Sequence, residues 1–159
     1  MSSILVIGDK NPCNEDGTTP LHDAAIEGHL DIVKLILEQI DNNKNPADIE
    51  SGDTPLHFAA RGGHTEICRE ILKQVDNKNP TNEVEVTPLW HAVMEGHTEV
   101  CKLIVNSIVD SDVEVLKSKT DLDKYLNIAV EKGHQDIIRF LNDAKFLFGW
   151  YINFFEIVN

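Results

Sequence analysis

The phrase Thr54-Pro55-Leu56-His57-Phe58-Ala59-Ala60-Arg61-Gly62-Gly63-His64 constrains this chain more than any other feature, because the chain writes it more than once. An earlier copy reads Thr19-Pro20-Leu21-His22-Asp23-Ala24-Ala25-Ile26-Glu27-Gly28-His29, and a later one Thr87-Pro88-Leu89-Trp90-His91-Ala92-Val93-Met94-Glu95-Gly96-His97. A fainter copy keeps only Leu126, Ala129, Gly133 and His134 of the phrase. The glycines Gly28, Gly63, Gly96 and Gly133 stand 35, 33 and 37 residues apart. Self-similarity at such a period marks a stacked array, in which each unit is too small to bury its own apolar face and relies on its neighbours.

The local chemistry of each copy is that of two helices. Thr19, Thr54 and Thr87 suit an N-cap, where the threonine oxygen can accept a free backbone N–H of the first turn. Pro20, Pro55 and Pro88 follow at the first helical position, where a missing N–H costs nothing. The small pairs Ala24-Ala25, Ala59-Ala60 and Ala92-Val93 let neighbouring helices approach closely, and each turn glycine suits a left-handed position beyond a helix end. A second helix then carries apolar residues at helical spacing: Leu30, Ile32, Val33, Leu35, Ile36 and Ile40 in the first copy, Ile67, Cys68, Ile71, Leu72 and Val75 in the second.

These copies resemble the ankyrin repeat, whose signature is T-P-L-H-x-A at about 33 residues with a turn and two helices. The resemblance implies an all-α fold, a helix-turn-helix solenoid with short finger loops. It spans an array over 1–145, with repeats at about 11–44, 45–78, 79–112 and 113–145, followed by an apolar tail over 146–159. Asp9-Lys10-Asn11-Pro12 matches Asn77-Lys78-Asn79-Pro80, so residues 2–8 read as the tail of a preceding, mostly missing copy. They form a half-length cap or continue a longer array. Each Asn-Pro pair (Asn11-Pro12, Asn45-Pro46, Asn79-Pro80) is expected to break the element before it.

Two stretches depart from the period. Val109 to Asp123 reads as an irregular surface insertion, which a loop tolerates cheaply. The last helix is expected over about Gln135 to Ala144. Beyond it, Trp150, Tyr151, Phe154 and Phe155 make the tail strongly apolar. Folding back as a cap over the final copy is its simplest role; an exposed docking or lipid-contacting segment and a truncation are the alternatives.

A formal charge of −13, from 27 acidic against 14 basic residues, argues against a polyanionic nucleic-acid ligand and for a protein partner with a basic or mixed surface. Cys13, Cys68 and Cys101 form no C-x-x-C pair. Cys68 and Cys101 hold equivalent places in successive second helices, too far apart to bridge, and read as small buried hydrophobes in a reducing compartment. The run Ile4-Leu5-Val6-Ile7 is too short for a signal peptide, and no stretch approaches the roughly 20 apolar residues of a membrane span. The expected protein is a cytoplasmic monomer, or a nuclear one.

Seven histidines invite a catalytic or metal hypothesis. Those of the phrase (His22, His57) and those after the glycine (His29, His64, His97, His134) advance with the period instead of converging, which fits hydrogen-bonding struts between loop and helix. His91 alone is out of register. His97 and Cys101 lie four apart on a helix, but a cysteine in an aliphatic core position makes a poor nucleophile. No phosphate loop, nucleophile elbow or zinc spacing occurs. The chain is read as no enzyme, with no cofactor and no metal.

The resemblance also implies where a partner docks: on the finger loops and the exposed positions of the first helices. By position these are Glu15, Asp16, Thr18, Asp23, Ile26 and Glu27 in the first copy. The second supplies Glu50, Ser51, Asp53, Phe58 and Arg61, and the third Glu83, Val84, Val86, Trp90, His91, Met94 and Glu95. The strip is acidic with Phe58, Trp90 and Met94 as anchors, although Trp90 can equally pack between copies. The resemblance implies a binding scaffold or inhibitor. It also admits the targeting arm of a larger enzyme or channel, and a substrate for asparagine hydroxylation at Asn11 and Asn79, with Asn45 one residue out of place.

Overall fold

The computed structural model describes residues 11–41, 43–111 and 119–158, with side chains described over 11–41, 43–109 and 122–147. Eight helices and no strand occur among the described residues: α1 (Pro20–Ile26), α2 (Leu30–Gln39), α3 (Pro55–Arg61), α4 (Thr65–Leu72), α5 (Pro88–Glu95), α6 (Thr98–Ser111), α7 (Lys119–Lys132) and α8 (Gln135–Val158). They pair within the four copies. First helices pack on first helices (α1 on α3, α3 on α5, α5 on α7) and second helices on second helices (α2 on α4, α4 on α6, α6 on α8). The result is two layers of helices with the apolar core between them.

The repeated phrase explains this packing. Leu21, Leu56 and Leu89, one per first helix, are fully or almost fully buried. Full burial of one such side chain stabilises by roughly 1.5–3 kcal/mol. Ala25, Ala60 and Val93 have no exposed surface, so adjacent first helices touch along a line of small side chains. In α4, Ile67, Cys68, Ile71 and Leu72 are buried while Glu66, Arg69 and the C-cap Lys73 face solvent. The exposed pairs Arg69–Glu66, Lys73–Glu70 and Lys102–Glu99 on the outer layer are surface ion pairs of little weight.

Gly28, Gly63 and Gly96 adopt φ of +75°, +70° and +81°, the left-handed conformation predicted for the turn. Packing adds a second reason for glycine. A Cβ on Gly28 would lie 2.6 Å from the His64 ring, and one on Gly63 2.7 Å from the His97 ring.

Two elements differ from the sequence reading. The described residues of the expected insertion over 109–123 are helical: α6 continues to Ser111 and α7 starts at Lys119, while 112–118 lie outside the described residues. Without a Thr-Pro start to fix its N-terminus, α7 reaches 14 residues where the other first helices have 7 or 8. The last helix does not stop near Ala144 but runs through the tail to Val158. No proline interrupts it, and a lone Gly149 costs only about 1 kcal/mol relative to alanine. Phe146 and Leu147, where the tail begins, are 75% and 64% exposed. The aromatic side chains beyond them, like residues 2–8, lie outside the described set, so the capping roles expected for both segments stay expectations.

Candidate functional site

Two sets of histidine struts hold the finger loops and the first helices. In the first two copies the phrase histidine completes a capping box, in the place glutamate or glutamine usually holds. Thr19 N–H donates to His22 Nδ1 at 3.1 Å, and Thr54 N–H to His57 Nδ1 at 3.1 Å. With Nδ1 accepting, Nε2 carries the proton and donates forward to the next copy: His22 to Asp53 O at 3.3 Å, His57 to Val86 O at 3.2 Å. Both rings are fully buried, and desolvation pushes their pKa below the usual histidine value. They are therefore neutral near pH 7.

The histidines after the glycines reach the other way. His64 Nε2 lies 3.2 Å from Ile26 O, His97 Nε2 3.0 Å from Arg61 O, and His134 Nε2 3.2 Å from Met94 O. Each ties a second helix to the last turn of the preceding first helix. The strut reading of these residues is thus what the geometry contains.

The third copy has Trp90 in place of the phrase histidine. Here Thr87 Oγ1 accepts from Trp90 N–H at 3.1 Å, the threonine cap in its simple form. The link to the fourth copy comes from the opposite side. The Tyr125 hydroxyl of α7 lies 3.0 Å from Thr87 Oγ1 and accepts from Asn79 Nδ2 at 3.3 Å.

The asparagines before proline do more than break helices. Asn11, Asn45 and Asn79 each accept through Oδ1 the backbone N–H of Leu21, Leu56 and Leu89, at 3.1, 3.0 and 3.0 Å. Asn45 is one residue out of step in sequence yet equivalent in space, because the second finger absorbs the extra residue.

Each finger turns around one side-chain acceptor. Asn14 takes the N–H groups of Asp16 and Thr18, Asp48 those of Ser51 and Gly52, and Asn82 those of Val84 and Val86. Adjacent fingers are joined by Ile49 N–H to Asp16 O at 2.8 Å and Glu83 N–H to Ser51 O at 3.1 Å. The last finger turn is strained: Glu85 has φ +59° where the other two fingers place Gly17 and Gly52. A non-glycine residue there costs roughly 1–2 kcal/mol, and such strain is commonest near functional surfaces.

Along the fingers and first helices, Glu15, Asp16, Asp23, Ile26, Glu27, Arg61 and Glu95 are exposed. Thr18, Phe58, Val86, Trp90, His91 and Met94 are half-buried. Asp53 is buried, and its carboxylate accepts from Asn82 Nδ2 at 2.8 Å, a tie between fingers. The aromatic members meet. Phe58 stands edge-on to His22 at 5.9 Å, with the Arg61 guanidinium 5.1 Å above its ring. His91 stands edge-on to Trp90 at 5.3 Å and to His57 at 6.2 Å. Trp90 also packs against the core, the second of the two roles the sequence allowed. Sequence reasoning missed Ile49, a fingertip side chain 68% exposed, comparable with Val84 at 74%. Its signal was an aliphatic residue in an otherwise polar finger.

Nothing in this arrangement supplies an activated nucleophile. Cys68 and Cys101 are buried, and desolvation pushes both thiols up to about 12. His97, four residues before Cys101, directs Nε2 to a backbone carbonyl of the preceding copy. Among the described residues no group of three or more histidine, cysteine or acidic side chains could hold a metal ion, and no helix is long and apolar enough to cross a membrane.

The family model described as Ankyrin repeats (3 copies) matches residues 2–82, 41–117 and 71–146. No curated protein matches the chain.

Proposed function

Because the chain belongs to the ankyrin repeat family, whose members generally serve as protein–protein interaction modules, we propose that it is a non-catalytic binding module. It grips a protein partner along the first helices and fingers of its second and third copies. The observation that carries this reading is the aromatic and cationic cluster of α3 and α5. Phe58 with Arg61 and Trp90 with His91 form a partly open patch, in which His91 feels the charges of Arg61 and Glu95, with Met94, Asp23 and Glu27 on the same first helices. Apolar anchors half-shielded by charge are what the centre of a protein interface requires. The acidic border suits a partner with a basic or mixed surface, chiefly through faster and more selective encounter.

Arg61 gives the cleanest test, because its side chain is exposed and only its backbone carbonyl serves a strut. Arg61→Ala should leave the melting temperature within about 1 °C of wild type, since surface changes are near-neutral. It should weaken capture of the partner recovered by affinity purification from the source cell. Equal capture by wild type, Arg61→Ala and Phe58→Ala would show that the partner docks elsewhere. Hydroxylation of Asn11 or Asn79 ranks second, since Oδ1 of each is engaged by a helix N–H that an enzyme would have to open. An added oxygen in the intact mass of cell-derived protein would report it.

A further inference from the structure

The two ends of the stack carry complementary halves of the joint that the chain makes internally. At each internal joint a histidine ring lies over the turn glycine of the preceding copy and bonds the carbonyl two residues before that glycine: His64 over Gly28, His97 over Gly63, His134 over Gly96. Among the described residues no copy precedes His29, which is exposed and whose ring makes no hydrogen bond there. At the other end, a Cβ on Gly133 would meet nothing within 4 Å, and Glu131 O stands where Ile26 O, Arg61 O and Met94 O stand in the other copies.

The apolar positions agree. Three residues after the strut histidine, Ile67, Val100 and Ile137 are 2%, 1% and 0% exposed, but Ile32 is 48% exposed. Three residues before the turn glycine, Ala25, Ala60 and Val93 are 0% exposed, yet Val130 is 59% exposed. One end is a plug without a socket and the other a socket without a plug.

We propose that a second copy of this chain docks head to tail. His29 of one copy lies over Gly133 of the next and donates Nε2–H to Glu131 O, while Ile32 and Val130 become buried. The contact repeats outside the chain the joint made three times within it, and it is independent of the candidate patch. Being heterologous, it adds copies in a line and does not stop at two. It stands as an alternative to the monomer expected from sequence, which took no account of the end faces. With a charge of −13 per copy the contact opposes like charges, so added salt strengthens it.

Sedimentation of the 159-residue chain tests this across micromolar to near-millimolar concentration. The weight-average mass should rise with concentration, and rise further in high salt. Ile32→Arg and Val130→Arg, both at exposed positions, should each melt as wild type and sediment as one chain. Their equimolar mixture should give a one-to-one dimer that grows no further, because each variant retains the face the other lacks. His29→Ala should weaken association about fivefold, the worth of one neutral hydrogen bond. A wild type that stays one chain throughout overturns the proposal. So does self-association that survives either arginine variant.

Discussion

The joint between the first two copies and the joint between the last two solve one problem with different residues. At the first, His22 completes its own helix cap and sends Nε2–H forward to Asp53 O. At the last, Trp90 cannot do this, and Tyr125 reaches back from α7 to Thr87 Oγ1 and Asn79 Nδ2. Stacking therefore requires one buried polar bridge between a cap and the neighbouring copy, not a histidine as such. Freed from that duty, Trp90 stands edge-on to His91 at the candidate patch. Moving the bridge from one copy to the next is what lets the third copy carry a tryptophan where the first two carry the phrase histidine.

The largest effect should come from removing a histidine bridge in the middle of the stack. His57→Ala leaves Val86 O and the Thr54 N–H without their partner in a buried joint. Unsatisfied buried groups cost about 1–3 kcal/mol apiece, so urea unfolding should show a loss on the order of 3 kcal/mol. A loss below about 1 kcal/mol would mean that the bridge is ornamental and the apolar stack alone holds the joint.

Glycine substitutions separate an occupied socket from an empty one. Gly63→Ala suffers both its φ of +70° and the His97 ring, whereas Gly133→Ala suffers only its φ of +76°. Costs of about 2–3 and about 1 kcal/mol follow, read from denaturant midpoints in dilute protein. Equal costs would remove the histidine ring from the explanation.

The two bridge types also differ in pH response. Burial lowers the pKa of His22 and His57 below the ordinary 6.5. Above that value folded and unfolded histidines are both neutral and contribute no slope. As pH falls below it, the unfolded chain takes up protons that the folded chain refuses, so stability declines. The melting temperature should drop between about pH 6.5 and 5, and the drop should be shallower in His22→Gln. A tyrosine bridge is silent in this range.

Much of this was legible in the sequence, and what was not has physical reasons. The Thr-Pro starts, the small-residue pairs and the turn glycines each fix a local conformation, so α1 to α5 follow from the repeated phrase. Their periodic histidines were readable as struts because a ligand cluster cannot advance with the repeat. The far ends of α6 and α8 and the start of α7 were not readable, since no proline or cap marks them. Tyr125 was invisible as a bridge because it belongs to the faint copy and replaces a residue 35 positions earlier. The second role of Asn11, Asn45 and Asn79 was hidden behind the stronger proline signal beside them. Within the candidate patch, the family resemblance implied that Phe58, Arg61, Trp90 and His91 share one side of the array. Only the fold could show that Asp53 turns inward to Asn82.

That every joint needs one buried bridge, whichever residue supplies it, is tested most directly by a double-mutant cycle on the last joint. Tyr125→Phe removes a hydroxyl with two partners and should cost about 1–1.5 kcal/mol in urea unfolding. In a Trp90→His background, where a phrase histidine can send Nε2–H forward again, the same change should cost close to nothing. An undiminished cost of Tyr125→Phe in that background would contradict the account.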